Sequence, residues 1–480
     1  MSFNTPPSPV YKLDCDVLLY VITLNANMFS DRTALRTTRA ASQVCQHWRN
    51  LMLATPSLWA KLIDLWHTSA RDYEWMNELV RRSGTAPLWI RVEHGDTDRP
   101  ADTSKPILQY FFDLADANWH RIQKLAIHLH DEPRLHATRW KTLHIPAPEL
   151  HTFAVLYEWT WRAEGPDEDP ITTFFAGHAP KLRRFGLSSY IIHDRAPWLR
   201  HLHTMHFDSA YSVDVVLAVL SSTQRLQKIK IHDFNNNDHT STPLRIASLP
   251  HLKRLEYEGE AQLFATLLNH LEIPPDCALC MPVSYMPQSN PEHYMAVINT
   301  FTRYVSRYLR SRTPKVICLE YMSDLFIFLK AGAAFPHDLP LNISFPLRHR
   351  DTSNPVATIL NELEKQELSN VTELRFYATG PLDSSFGTFF SSLTSLETIW
   401  TDLEALGYLA ALQNNIVPTK LQLSLFPSLK LVKLTEFLHQ RYSQCDIFTI
   451  DTKVWHTCRQ VTDKVEPGIC KRQLQLDVAF

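Results

Sequence analysis

Eight cysteines and 23 histidines are the residues of this 480-residue chain best suited to metal or nucleophilic chemistry. Cys277 and Cys280 form a C-x-x-C pair within CALCMPV. A structural zinc site needs four ligands, and no second pair lies nearby, so buried structural cysteines are expected. His201, His203 and His206 alternate, as do His128 and His130. Alternating imidazoles can chelate a metal. In a chain this rich in histidine, chance clustering is the better account, and no metal or cofactor is expected. The 11 glycines exclude other chemistries. No two stand at the separations of G-x-G-x-x-G, G-x-x-x-x-G-K-[ST] or G-x-S-x-G. Those loops need glycine where backbone must approach a phosphate or enter a strained turn. H-E-x-x-H is also missing. The readable enzyme classes therefore drop out, leaving only a scattered active site, for instance on the histidines, as a catalytic rival.

Bulk properties agree with a non-catalytic role. Lys plus Arg is 48 and Asp plus Glu is 50, for a net charge of −2. Such a surface releases few counterions from a phosphate backbone, so nucleic acid is not an expected partner. The opening MSFNTPPSPV is polar and proline-rich and resembles no secretory leader. No run approaches the roughly 18 apolar residues of a membrane helix. The cysteines are too sparse for a disulfide scaffold. The expectation is a cytoplasmic or nuclear protein without a membrane partner.

The elements that must position any partner begin with residues 11–60. In YKLDCDVLLYVITL, Asp14 or Asp16 can accept the free N–H groups that open a helix. Val17, Leu18, Val21, Ile22 and Leu24 then recur at helical spacing. A second stretch runs from Leu35 to Leu51 and is broken at Pro56. LDCDVLLYVI resembles the first helix of an F-box, and ASQVCQHWRNLML resembles its second signature block. The strongest part is V-C-x-x-W-R at Val44, Cys45, Trp48 and Arg49. TPSLW, Thr55 to Trp59, is similar to fungal-type F-box proteins. The family usually has proline after its first leucine; here that position is Asp14.

This resemblance implies a three-helix module that docks onto a Skp-type adaptor of a cullin–RING ubiquitin ligase. The residues it assigns to the adaptor are Leu13, Val17, Leu18, Val21, Val44 and Trp48. A unit of about 45 residues cannot bury all its apolar faces alone, which fits a docking role. Trp48 and Cys45 fit the core of a helical hairpin equally well.

Residues 61–84 hold a linker helix. In ARDYEWMNELVRRSG, Tyr73, Met76, Leu79 and Val80 share a face. Arg81 and Arg82 stand at the negative end of the helix dipole, and Gly84 can cap it. PLWIRVEH then reads as a strand.

From 85 to 440 an apolar-x-x-apolar-x-apolar pattern recurs. It begins at Ile122, Leu150, Leu182, Leu202, Leu226, Leu252, Val316, Val371 and Leu429, with a degenerate copy at Leu396. Neighbouring copies are mostly 20 to 33 residues apart, and the gap from Leu252 to Val316 is expected to hide two irregular units. Helical stretches such as PILQYFFDLA and DVVLAVLSS lie between copies. The pattern resembles half of a leucine-rich repeat. The expected fold class is α/β: a three-helix F-box, then an irregular leucine-rich-repeat-like solenoid of parallel strands with helices outside. Residues 1–10 are expected to form a tail, and 441–480 a capping segment.

The variable residue between the last two apolar positions faces away from the core. Along the chain these are Ala126, Ala154, Gly186, His206, Lys230, Glu256, Glu320, Arg375, Trp400 and Lys433. The early ones are bland. His206, Lys230, Glu256, Glu320, Arg375, Trp400 and Lys433 are the candidate target-binding residues, with Trp400 the best anchor because aromatics and arginine dominate interface energies. An ordinary solvated strand face, with Trp400 packed on the C-terminal segment, fits them equally. The expected function is a substrate receptor joining a Skp-type adaptor to a protein target. The alternative is a repeat-based scaffold without ubiquitin transfer.

Overall fold

The computed structural model describes residues 13–65, 73–93, 104–129, 141–157, 174–188, 190–234, 243–281, 284–285, 291–322, 325–330, 341–346, 355–416, 425–435 and 447–451. The fold is mixed α/β with parallel sheets, and no barrel closes among these residues. The chain divides into two compact units. One holds residues 1–252 and 270–272; the other holds 253–269 and 273–480. This division falls inside the span expected to be one continuous array.

The first unit opens with four helices: α1 (Cys15–Asn25), α2 (Ala34–Ala41), α3 (Gln46–Leu53) and α4 (Pro56–Trp59). Asp14 caps α1, its carboxylate accepting from the Asp16 N–H at 3.2 Å. The residue that departs from the family's proline thus starts the helix by another route. Cys45 caps α3 with its Sγ, 3.5 Å from the Trp48 N–H. Pro56 opens α4, where its missing N–H costs nothing. Trp59 is fully buried and donates its indole N–H to the Met52 carbonyl at 2.8 Å.

After β1 (Ile63–Asp64) comes the expected linker helix, α5 (Tyr73–Arg82), with Met76 and Leu79 inward and Gly84 at φ +51° beyond its end. A sequence of β2 (Leu88–Glu93), α6 (Ser104–Asn118), β3 (Ile122–Leu129), β4 (Thr152–Tyr157), β5 (Arg184–Leu187), β6 (Thr204–Phe207), α7 (Val213–Leu220) and β7 (Lys228–His232) follows. β1 to β7 pair in chain order, all parallel. Their inward residues, Leu125, Phe153, Phe185, Met205 and Ile229, are buried. Phe153 and Phe185 stack at 5.6 Å, and Trp198 covers Phe185 at 4.7 Å. The two-residue β8 (Ala247–Ser248) completes the unit by pairing with a later strand.

The second unit holds β9 (Arg254–Glu260) and α8 (Ala261–Asn269); the intervening β10 (Leu271–Glu272) belongs to the first unit as the partner of β8. Then come β11 (Ala278–Met281), β12 (Ser284–Tyr285), α9 (Pro291–Ser311), β13 (Val316–Met322), β14 (Leu325–Lys330) and β15 (Leu341–Pro346). The rest is α10 (Pro355–Glu364), β16 (Glu373–Ala378), α11 (Ser384–Ser392), β17 (Thr398–Thr401), α12 (Leu403–Ile416), β18 (Leu431–Thr435) and β19 (Ile447–Asp451). Strands β13, β16, β17 and β18 run parallel and adjacent.

All ten copies of the recurrent pattern coincide with strands of this list. Irregular elements lie in the gap before Val316, where they were expected, and also after it, where they were not. The gap before Val316 holds β11, parallel to β9, and the 21-residue α9. After Val316, β13, β14 and β15 form an antiparallel meander, and β15 returns to lie parallel to β11. β19 is antiparallel to β18. Residues 1–12 and 452–480, and with them the expected tail and most of the capping segment, lie outside the described residues.

Candidate functional site

The helical module presents two opposite faces along α1. Leu18 and Ile22 point inward, Leu18 at 3% exposure. Leu13, Val17 and Val21 stand out at 45%, 49% and 46%, and Tyr20 and Leu24 are more exposed still. Spacings of four, three, one and three residues put these five on one stripe. Val44, at 63%, adds apolar surface ahead of α3, and Trp48 is half-buried.

Four of the six residues assigned to the adaptor, Leu13, Val17, Val21 and Val44, are therefore accessible, and Trp48 is partly so. Leu18 is corrected. One residue on from Val17 is about 100° around a helix, which carries its side chain into the core. Tyr20 and Leu24 were missed as surface residues; their shared face with Val17 was the available signal. A contiguous apolar stripe left in water is a mark of an interaction surface.

α5 fastens this module to the strands. Arg82 lies over Trp59 at 4.8 Å and over Trp75 at 5.2 Å, and Arg39 of α2 lies over Trp75 at 4.9 Å. Glu78 pairs with Arg81 and Arg82 at 2.6 and 2.7 Å, and their hydrogen bonds hold its carboxyl down to about 2. Arg91 on β2 reaches Asp64 at 2.6 Å and the Met28 carbonyl at 2.5 Å. Arg121 donates to the Gly84 and Ala86 carbonyls at 2.6 and 3.0 Å. Helices, linker and first strands thus share one network.

The strand faces carry the second set of candidates. In the second unit, Arg375, Trp400 and Lys433 stand side by side in register on β16, β17 and β18. The Arg375 guanidinium is 5.3 Å from the Trp400 ring centroid and the Lys433 ammonium 4.1 Å. Trp400 is half-buried, and its indole N–H is enclosed without a hydrogen-bond partner. Arg375 also donates to Glu373 at 3.0 Å.

Glu320 does not join this row. Cys318 is the residue opposite Arg375, and Glu320 lies opposite Tyr377. The frame read from Val316 is two residues late, because an apolar run satisfies the pattern in either frame. Glu256 sits on β9 opposite Cys280, in an ion pair with Arg254 at 2.6 Å. In the first unit, His206 and Lys230 are register partners, and the His206 ring stacks on His232 at 5.2 Å.

One feature of this face was missed entirely. The third position of each pattern shares strand parity with the fifth, so it points the same way. In the first unit it supplies Lys124, Arg184 and Lys228. They flank the stretch of Ala126, Ala154 and Gly186 read as bland.

The chemistry-bearing groups behave as structural ones. Cys277 is fully buried and its thiol is pushed up to about 12, chiefly by burial. Cys318 is pushed up by burial as well. His201 and His203 are held below the ordinary histidine value, first by desolvation and then by nearby arginines. No three His, Cys, Asp or Glu side chains converge as metal ligands among the described residues. His130 lies outside those residues. No described helix is long and apolar enough to cross a membrane. Searches against protein-family models and curated proteins find no match to this chain.

Proposed function

We propose that this chain is a non-catalytic receptor of the F-box type, joining a Skp-type adaptor of a cullin–RING ubiquitin ligase to a protein target. The observation that carries the reading is the exposed apolar stripe of Leu13, Val17, Tyr20, Val21 and Leu24 on a module whose Leu18, Ile22, Met28, Met52 and Leu58 are buried. Covering half-exposed side chains of this size is worth on the order of 1 kcal/mol apiece, enough in sum for a stable contact. Val44 and Trp48 extend the surface. The strands then act as a solenoid-like platform for the target, with Arg375, Trp400 and Lys433 as one anchor cluster. The network through Trp59, Trp75 and Arg91 supports the reading because it ties the first strands of the first unit to the docking face. A ligase must hold its target at a set reach and raises its effective concentration by doing so.

Co-purification with the Skp-type adaptor tests the reading. The Val17→Asp, Val21→Asp variant is expected to fold and to lose the adaptor. Capture undiminished in that variant overturns the helix-one surface. Adaptor capture with no change in turnover of any bound protein on deletion of the chain favours the scaffold alternative instead.

A further inference from the structure

A row of side chains crosses five neighbouring strands of the first unit and is not used by the adaptor. In register it reads Lys124, Thr152, Arg184, Thr204 and Lys228. Cation and hydroxyl alternate. Strands lie about 4.8 Å apart, so a cation recurs about every 9.6 Å. The next row on the same face reads Ala126, Ala154, Gly186, His206 and Lys230. Ala126 and Ala154 are small and half-buried, leaving a low shelf beside the cations, whereas Gly186 is buried beneath the His206 and Leu156 side chains. Gly186 has no room for a side chain: a Cβ there would stand 2.9 Å from the Cβ of His206. Neither row contains a carboxylate.

The cations are crowded. Lys124 lies over the Trp89 ring at 3.5 Å. Its ammonium is held below the ordinary lysine value by burial, then by Arg184 and Lys61. His151, at the start of β4, is held down by burial and then by Lys124, Arg183, Arg184 and His203. Like charges held this close raise the local potential, and an anionic ligand relieves it.

We propose that this face binds an extended acidic segment of a partner protein, its backbone on the shelf of Ala126 and Ala154 and its carboxylates on Lys124, Arg184 and Lys228. A segment in polyproline-II conformation has three residues per turn and rises about 3.1 Å per residue, so every third side chain faces the same way about 9.3 Å apart, close to the cation spacing. A single-stranded nucleic acid would want several stacking aromatics along the path; the rows offer only the His206 ring, already stacked on His232, and Trp89 at one end beneath Lys124. The inference deepens the target half of the proposed function. It rests on that reading only for what happens to the bound partner, since binding itself requires no adaptor.

The test uses the full chain and a fluorescent peptide of about ten residues with glutamate at every third position, followed by anisotropy. Saturable binding that weakens as salt rises is expected. The Arg184→Glu, Lys228→Glu variant should lose about tenfold or more in affinity while keeping its circular dichroism, as each charge-assisted hydrogen bond lost predicts. Lys365→Glu, at an exposed position paired within its own helix end, should leave peptide affinity unchanged. Equal affinity in the charge-reversed variant overturns the proposal, as does absence of saturable binding. Tighter binding of an oligothymidylate than of the peptide also overturns it. The Val17→Asp, Val21→Asp variant run in parallel should keep the peptide and lose the adaptor, so a failure of either reading shows separately.

Discussion

Helix α1 and the strand faces both expose residues that a folded chain would be expected to pair or bury, but the two surfaces differ in how far the protein satisfies them internally. On α1 the exposed groups are aliphatic or aromatic and nothing in their own module covers them. On the strands, Trp400 is flanked by Arg375 and Lys433, Lys124 by Trp89, and His206 by His232. An apolar stripe in water gains free energy from any well-shaped cover, which suits a constant partner. A charged and aromatic surface already engaged with itself gains only from a partner of complementary charge, which suits selection among targets.

The largest expected effect comes from breaking the contacts that join the helical module to the first strands of its own unit. Trp59→Ala removes a fully buried indole and its bond to Met52, and should cost about 3–5 kcal/mol in chemical denaturation. Nearly as large is Arg91→Leu, which strands a buried Asp64; about 3 kcal/mol is expected, while the double variant with Asp64→Leu should recover most of it. Recovery is what separates a broken ion pair from simple loss of packing.

Within α1 the contrast can be sharpened by two neighbouring residues. Leu18→Ala should cost about 2–5 kcal/mol, and Val17→Ala less than about 0.5 kcal/mol, though only the latter leaves the fold intact enough to report on docking. Similar costs at both positions would mean that the two faces are not distinct. On the second unit, Lys433→Met should lower stability by only about 0.5–1 kcal/mol, the worth of one partly solvated cation–π contact.

The smallest effect is a pH dependence. His151, His201 and His203 are all held below the ordinary histidine value of about 6.5 in the folded chain, first by burial and then by neighbouring cations. The unfolded chain then binds more protons than the folded one in that range, so stability rises with pH. The contribution is complete above the unfolded value and is lost as pH falls through 6.5 toward the folded values. His151→Gln should flatten that slope in thermal melts taken across the histidine range, and an unchanged slope would remove His151 from the account.

Much of the α/β organisation was legible because its signals are local. Asp14 sits where a helix cap belongs, Pro56 where a helix can open, and Gly84 where one can close, but the stretch read as one helix from Leu35 to Leu51 is two helices, because Cys45 in extended conformation breaks it and caps the second. The recurrent pattern marked ten strands because period-two burial needs only three apolar residues at fixed offsets. The β13–β15 meander carried no such signal, since LFIFLK and LNISFP pair through backbone groups that any sequence possesses. Leu18 was misplaced for a similar reason. Motif position names a residue, but only the packed module shows which side of the helix is already filled.

The chain by itself determined where helices and strands begin, that phosphate loops are absent, and which residues alternate outward, because those properties depend on neighbours within a few positions. Tertiary structure alone decided which outward residues stand together. Arg375, Trp400 and Lys433 are 25 and 33 residues apart in sequence and adjacent in register. Lys124, Arg184 and Lys228 form one row although more than forty residues separate each from the next. Register follows from the packing of every strand's inner face against the core, a sum over the whole sheet that no short stretch of sequence contains.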